Sequence, residues 1–97
     1  MLKDIVQVTP QDNYLLEILF EDGVKGIVNI AELVEFTGVF APLKAPEYFA
    51  QVKVDPDLFT VCWPNGADLD PDVLYSKITG QPLPLFDLIT EKLSPDN

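Results

Sequence analysis

The sequence contains no histidine and no arginine, and its single cysteine is Cys62. Without histidine, the chain lacks the usual proton-transfer partner of a catalytic serine or cysteine and the commonest metal ligand. One thiol forms no internal disulfide and no familiar zinc site, and its place between Val61 and Trp63 predicts a buried, inert side chain. The glycines stand far apart, so no glycine-rich phosphate loop is present. We therefore expect a protein that is not an enzyme, with no metal and no cofactor.

The absence of arginine and the excess of acidic residues also limit the kinds of partner that this chain can bind. Sixteen acidic residues stand against six lysines, giving a formal net charge of -10 and a pI near 4.1. Nucleic-acid affinity comes largely from Lys and Arg neutralising phosphates, and base readout most often uses the Arg fork. The composition argues against nucleic-acid binding. The acidity either keeps a small protein soluble or steers it towards a basic partner.

Long hydrophobic runs are missing as well. No stretch approaches the length that spans a bilayer, and the first residues carry charges where a signal peptide has an apolar run. A cytoplasmic location without membrane contact is expected, which agrees with the single cysteine. At 97 residues and 47% hydrophobic composition, the chain is suited to one modest core.

The apolar residues that are present alternate first as in strands. Val6 and Val8 share one face of a first strand, and Asp22-Gly23 suits a type I′ hairpin between the second and third. The second strand has Leu16, Ile18 and Phe20 on one face. The third strand has Val24, Val28 and Ile30 on one face. The pattern predicts a three-stranded antiparallel meander.

Capping and turn residues mark the segment after the meander. Asn29 and Glu32 are placed to form a capping box for a short helix, which Gly38 ends. The prolines and aromatic residues of 39–50 indicate an apolar loop with single helical turns.

A second hairpin and a last helix complete the predicted domain. Asp70 caps this helix, and Gly80 ends it. The first strand of the hairpin contains Val52 and Val54, and a turn at Asp55-Pro56-Asp57 follows it. The second strand has Phe59, Val61 and Trp63 on one face. A further turn at Pro64-Asn65-Gly66 comes after it. Residues 1–80 thus predict a compact α+β domain with a small antiparallel sheet and short helices.

Residues 81–97 predict a C-terminal tail that is helical from residue 84. Its apolar side chains fall at helical spacing, and a short apolar helix is marginal alone. We expect something to cover this stripe, either the same domain or a second copy in a two-fold dimer. The stripe consists of Leu85, Phe86, Ile89 and Leu93.

Alternate acids at Asp68, Asp70 and Asp72 resemble the start of an EF-hand loop. That loop needs glycine at its sixth position and glutamate at its twelfth, where this chain has Val73 and Thr79. Helix capping explains these acids better, with Asp68 solvated.

Three pieces of the sequence are familiar when they occur together. They are Phe20-Glu21-Asp22-Gly23, Gly38-Val39-Phe40 with Leu43, and Trp63-Pro64-Asn65-Gly66-Ala67-Asp68-Leu69-Asp70-Pro71 with Leu74-Tyr75. Over roughly residues 1–75 they resemble the bacterial family known as domain of unknown function 2442. The resemblance implies a compact α+β domain with a small antiparallel sheet and no established activity. Members are often encoded beside another small protein, similar to toxin–antitoxin pairs. Some carry a helix-turn-helix segment after this domain, for which the residues after Gly80 are too few.

These observations favour a non-enzymatic protein-interaction module, an antitoxin-like or regulatory member of a two-gene pair that binds a small basic protein. Two alternatives remain: a small-ligand-binding or catalytic domain using acids near Trp63, and a DNA-binding regulator. The candidate recognition surface is Trp63, Asn65, Asp68 and Asp70, and the candidate dimer contact is the tail stripe. The candidate recognition surface also has a structural interpretation. In it, Trp63 anchors the core, Asn65 permits the turn and Asp70 caps the helix.

Overall fold

Three antiparallel strands open the fold. The computed structural model describes residues 3–80, and in them β1 (Ile5–Gln11), β2 (Leu15–Phe20) and β3 (Lys25–Asn29) pair in the order β1-β2-β3. β2 is therefore central, and the predicted meander is confirmed.

One face of this sheet carries the core. The inward side chains of β2, Leu16, Ile18 and Phe20, are all buried, as their alternation predicts. Val28 is buried beside them on β3, and Ile30 follows it into the core. Later elements complete the buried cluster with Leu43, Phe49, Val52, Val61, Trp63, Ala67, Leu69 and Leu74.

β1 does not alternate as predicted. Ile5 is buried and Val8 is partly buried against the core, whereas Val6 is 54% exposed. The pairing with β2 shifts between Ile5 and Gln7, as in a β-bulge, where an extra residue reverses the side-chain alternation. The expectation that Val6 and Val8 share one face is therefore wrong.

The turn between β2 and β3 is not the predicted type I′. The Phe20 N–H donates to the Val24 carbonyl at 2.8 Å, and the Gly23 N–H donates to the Phe20 carbonyl at 3.0 Å. Gly23 has φ +91°, while Asp22 is not among the residues with positive φ. A type I′ turn needs positive φ at both central residues, so this is a type I turn closed by a left-handed glycine.

The same turn recurs at Trp63–Ala67. The Trp63 N–H donates to the Ala67 carbonyl and the Gly66 N–H to the Trp63 carbonyl, each at 2.9 Å, and Gly66 has φ +90°. In both turns the residue before glycine accepts a hydrogen bond from the backbone N–H two residues on. For Asn65 this bond, to the Ala67 N–H, is 3.1 Å long.

Helical turns join the sheet to the second hairpin. Asn29 caps α1 (Ile30–Leu33) by accepting the Glu32 N–H at 3.3 Å, as predicted. Gly38 does not end α1, because the chain becomes extended already at Val34. Gly38 instead begins a 3₁₀ segment that runs to Lys44, and α2 (Pro46–Phe49) follows. The predicted loop with single helical turns is confirmed.

The second hairpin is short. β4 (Lys53–Val54) pairs antiparallel with β5 (Val61–Cys62). Val61 and Trp63 are buried as predicted, but Phe59 lies in the connecting loop and is 45% exposed. Placing Phe59 on the strand face was wrong because its φ of +55° closes the loop and is incompatible with a strand.

The last described helix, α3 (Pro71–Thr79), packs on β3. Asp70 caps its start by accepting the Asp72 N–H at 2.8 Å, and Gly80 ends it in the left-handed conformation, as predicted. Among residues 3–80, no helix is long and apolar enough to cross a membrane. The tail and its stripe of Leu85, Phe86, Ile89 and Leu93 lie outside the described residues, so the helical tail and the dimer stay predictions.

We predict that Gly26→Ala destabilises the protein by about 1–3 kcal/mol through overpacking. A Cβ atom at Gly26 would lie 2.5 Å from Cγ2 of Ile78, so the glycine lets α3 approach β3 closely. Urea denaturation measures the change in unfolding free energy. In an Ile78→Ala background the clash is gone, and the same substitution should cost much less; an equal cost in both backgrounds would contradict this account.

Candidate functional site

Trp63, the centre of the predicted recognition surface, lies in the core. Its side chain is 2% exposed, and its Nε1–H donates to the Phe49 carbonyl at 3.0 Å. The Phe49 ring packs beside it with centroids 5.9 Å apart. Trp63 thus joins α2 to the second hairpin, and it offers almost no surface to a partner.

Asn65 lies in the exposed turn next to Trp63, and every part of its amide side chain is used internally. Its Oδ1 accepts the Ala67 N–H, and its Nδ2 donates to the Val39 carbonyl at 2.9 Å. Its backbone N–H donates to the Tyr48 hydroxyl at 2.9 Å. Asn65 therefore fastens the turn to the segment from Val39 to Tyr48.

The acidic residues after this turn are not grouped at one point. Asp68 is exposed and pairs through its backbone with Cys62. Asp70 is exposed and caps α3, while burial raises the pKa of Asp72. Within residues 3–80 no three acidic, cysteine or histidine side chains are grouped as metal ligands. Burial also raises the pKa of the Cys62 thiol, which keeps it protonated and unreactive.

A second polar contact joins α3 to the first turn. The Tyr75 hydroxyl donates to Asp22 Oδ2 at 2.6 Å, and the Val24 N–H donates to Asp22 Oδ1 at 3.0 Å. These donors hold the pKa of Asp22 below its ordinary value, the Tyr75 bond contributing most. The Tyr75 ring also meets Phe20 edge-on at 4.9 Å, so this contact is structural.

The loop between β4 and β5 presents two large apolar side chains to solvent. Leu58 is 59% exposed and Phe59 is 45% exposed. Asp55 Oδ1 accepts the N–H of Asp57 at 2.7 Å and of Leu58 at 3.0 Å, and the Phe59 N–H donates to the Asp55 carbonyl at 2.8 Å. The loop is thereby held in one conformation.

The same loop is hydrogen-bonded to the first strand of the sheet, and its Asp55 carboxylate is ionised. The Ile5 N–H donates to the Phe59 carbonyl at 2.9 Å, which joins the loop to the start of β1. The N–H groups of Asp57 and Leu58 lower the pKa of Asp55, so its carboxylate is ionised at neutral pH. We call residues 55–60, with exposed Leu58 and Phe59, the apolar loop.

A groove of about 520 Å³ lies at the other end of β1, between the β1–β2 turn and α2. Pro10, Asp12 and Tyr14 line one side, and Pro46 and Ala50 line the other. Its volume is within the range of small-molecule sites.

Sequence reasoning missed both the apolar loop and the groove. The sequence predicts the turn at Asp55-Pro56-Asp57, but its alternation places Phe59 in the strand that follows. The signal available was Leu58-Phe59 directly after a turn, before the strand residues Val61 and Cys62. The groove brings together distant segments, and no local pattern predicts that.

Comparison with known proteins identifies the family of this chain. A family model described as "Protein of unknown function (DUF2442)" matches residues 5–80, from the first residue of β1 to the glycine that ends α3. No curated protein and no solved structure matches the chain. The family resemblance inferred from the motifs is confirmed.

We predict that Asn65→Asp lowers the unfolding free energy by about 1 kcal/mol, the usual net value of one hydrogen bond. The change removes the Nδ2 donor to Val39 and keeps the Oδ1 acceptor for Ala67. Urea denaturation at moderate salt, which screens the added charge, measures it. Asn65→Ala removes both bonds and should cost more. If Asn65→Asp were as stable as wild type, the bond to Val39 would contribute nothing, and if the two variants were equally stable, the bond to Ala67 would contribute nothing.

We predict that Tyr75→Phe destabilises the protein at neutral pH but much less in acid. The folded pKa of Asp22 lies below its unfolded value, so its contribution is present above the unfolded pKa and is lost as pH falls through the folded pKa. The difference in unfolding free energy between wild type and variant should therefore shrink between about pH 7 and about pH 2.5.

A matched control for this prediction is Tyr14→Phe. The Tyr14 hydroxyl donates to the Lys44 carbonyl, which does not titrate. Its cost should be the same at both pH values. A pH-independent cost for Tyr75→Phe as well would contradict the role of Asp22.

Proposed function

Since this chain belongs to the DUF2442 family, which has no assigned activity, its function rests on its surface, and we propose that it is a non-enzymatic protein-interaction module. Its partner is a small basic protein, and the apolar loop makes the central contact. The pair has the antitoxin-like or regulatory arrangement that the family resemblance implies, with the partner encoded beside this chain.

The observation that carries the proposal is the conformation of Phe59. Its φ of +55° is unfavourable for a bulky side chain and costs about 1–2 kcal/mol. The side chain gains only part of the stabilisation that full burial would give, because 45% of the residue is exposed. A glycine or asparagine would close the loop with less strain. A strained, exposed aromatic on a fixed loop is typical of a binding contact.

The loop's rigidity supports the same function. Three backbone N–H groups donate to Asp55 and fix the backbone at Leu58 and Phe59, so little backbone entropy is lost when a partner binds there. Large rigid apolar side chains that fill a pocket are the usual source of binding energy.

Charge determines the kind of partner. Acids outnumber lysines around the loop: Asp55 and Asp57 lie in it and Asp4 precedes Ile5, against Lys53 and Lys3. The chain's net charge of -10 opposes association with a second copy through this surface. An apolar pocket rimmed by Lys or Arg would match it in shape and charge.

We predict that Phe59→Asn lowers affinity for the basic protein encoded beside this chain at least about tenfold, as loss of an aromatic hot spot does. The variant should stay folded, within about 1 kcal/mol of wild type, because relief of the left-handed strain offsets the lost packing. Calorimetric titration gives the affinity, and urea denaturation gives the stability.

The matched control is Ile27→Asn, which removes an exposed apolar side chain from β3. It should change the affinity less than twofold, a change too small to mark a binding contact. Equal losses for both variants, or a loss of about 3–5 kcal/mol in stability for Phe59→Asn, would show that Phe59 is a packing residue. An adjacent basic protein that does not bind the wild type overturns the antitoxin-like arrangement.

A further inference from the structure

The groove at the β1–β2 turn is built from rigid parts. Pro10 and Pro46 both line it, and their rings restrict the backbone there. Phe49 forms part of the floor and is 2% exposed, while Tyr14 is half-buried beside it. The two rings meet edge to face, with centroids 5.3 Å apart. The prolines and the packed rings therefore fix the shape of the groove, whose volume is about 520 Å³.

Tyr14 is held in an unfavourable conformation at this groove. Asn13 has φ +65° and Tyr14 has φ +64°, and two left-handed residues in succession are costly when the second is a bulky aromatic. The side chain is fixed by a hydrogen bond from its hydroxyl to the Lys44 carbonyl and by an edge contact with Phe36 at 5.0 Å. The surrounding structure thus forces this ring into the wall of the groove.

The polar groups of the groove select the charge of a ligand. Asp12 supplies a carboxylate, and Gln11 and Asn13 supply amides, whereas no described residue lining the groove is a lysine. An anion would meet repulsion there. A cation is attracted by the carboxylate and by the tyrosine ring, while its apolar stem can contact the prolines and Ala50.

We propose that this groove binds a small organic cation, a primary amine on an apolar stem about the size of one aromatic ring. This site is separate from the apolar loop, because the groove and the loop contact opposite ends of β1. It also differs from the alternative based on acids near Trp63, since Asp12 is the acid involved.

Phenethylamine is the test ligand, with 2-phenylethanol and 3-phenylpropanoate as neutral and anionic analogues of similar shape. Titrations followed by amide chemical shifts should move the signals of Asn13, Tyr14 and Ala50. The amine should bind at least about fivefold more tightly than the alcohol, a modest gain expected for a partly exposed charge pair. The propanoate should bind least. Equal binding of amine and alcohol, or amine-induced shifts scattered over the acidic surface, would overturn the proposal.

Two variants with a matched control locate the site. Asp12→Asn should reduce amine affinity to that of the alcohol, and Ala50→Leu should weaken binding by placing three more carbon atoms on the wall of the groove. Asp57→Asn makes the same change of net charge in the apolar loop and should leave affinity within about twofold, because exposed charges far apart are screened by salt. If Asp57→Asn weakened binding as much as Asp12→Asn, the amine would be attracted by net charge alone. Chemical-shift dispersion confirms that each variant is folded.

Discussion

The hydrogen bond from the Trp63 indole to the Phe49 carbonyl ties together the two smallest parts of the fold. α2 and the β4–β5 hairpin are each too short to be stable alone, and this bond joins them inside the core at 3.0 Å. The ring contacts continue from Trp63 through Phe49 to Tyr14, so the wall of the groove is linked to the same interaction. Removing the indole would leave a cavity, and the Phe49 carbonyl would keep only its longer bond from the Val52 N–H, at 3.3 Å.

Much of this fold follows from short-range patterns in the sequence. The alternation of Leu16, Ile18 and Phe20 placed the central strand correctly, and the caps at Asn29 and Asp70 placed two helix starts. These predictions succeed because each depends on residues within one turn or one strand. The bulge at Val6 depends on pairing with a distant part of β2, which local alternation does not contain.

The two proposed sites were harder to predict for a common physical reason. Both Phe59 and Tyr14 are bulky aromatics in the left-handed region, where local preference places glycine or asparagine. Long-range contacts impose these conformations: the bond from Ile5 at Phe59, and the contacts with Phe36, Lys44 and Phe49 at Tyr14. Of the predicted recognition residues, Trp63, Asn65 and Asp70 make the internal contacts of the structural interpretation, and Asp68 is exposed. Whether a partner also contacts that segment stays a prediction.

The bond between the Ile5 N–H and the Phe59 carbonyl links the hydrogen-exchange rate of the Ile5 amide to the stability of the apolar loop. Backbone amides exchange their protons with solvent when local opening breaks their hydrogen bonds. The Ile5 amide opens when the loop lifts from the first strand, so its exchange rate measures the local stability of the loop. A partner that grips Phe59 would slow the exchange at Ile5, a residue that is itself buried and out of the partner's reach.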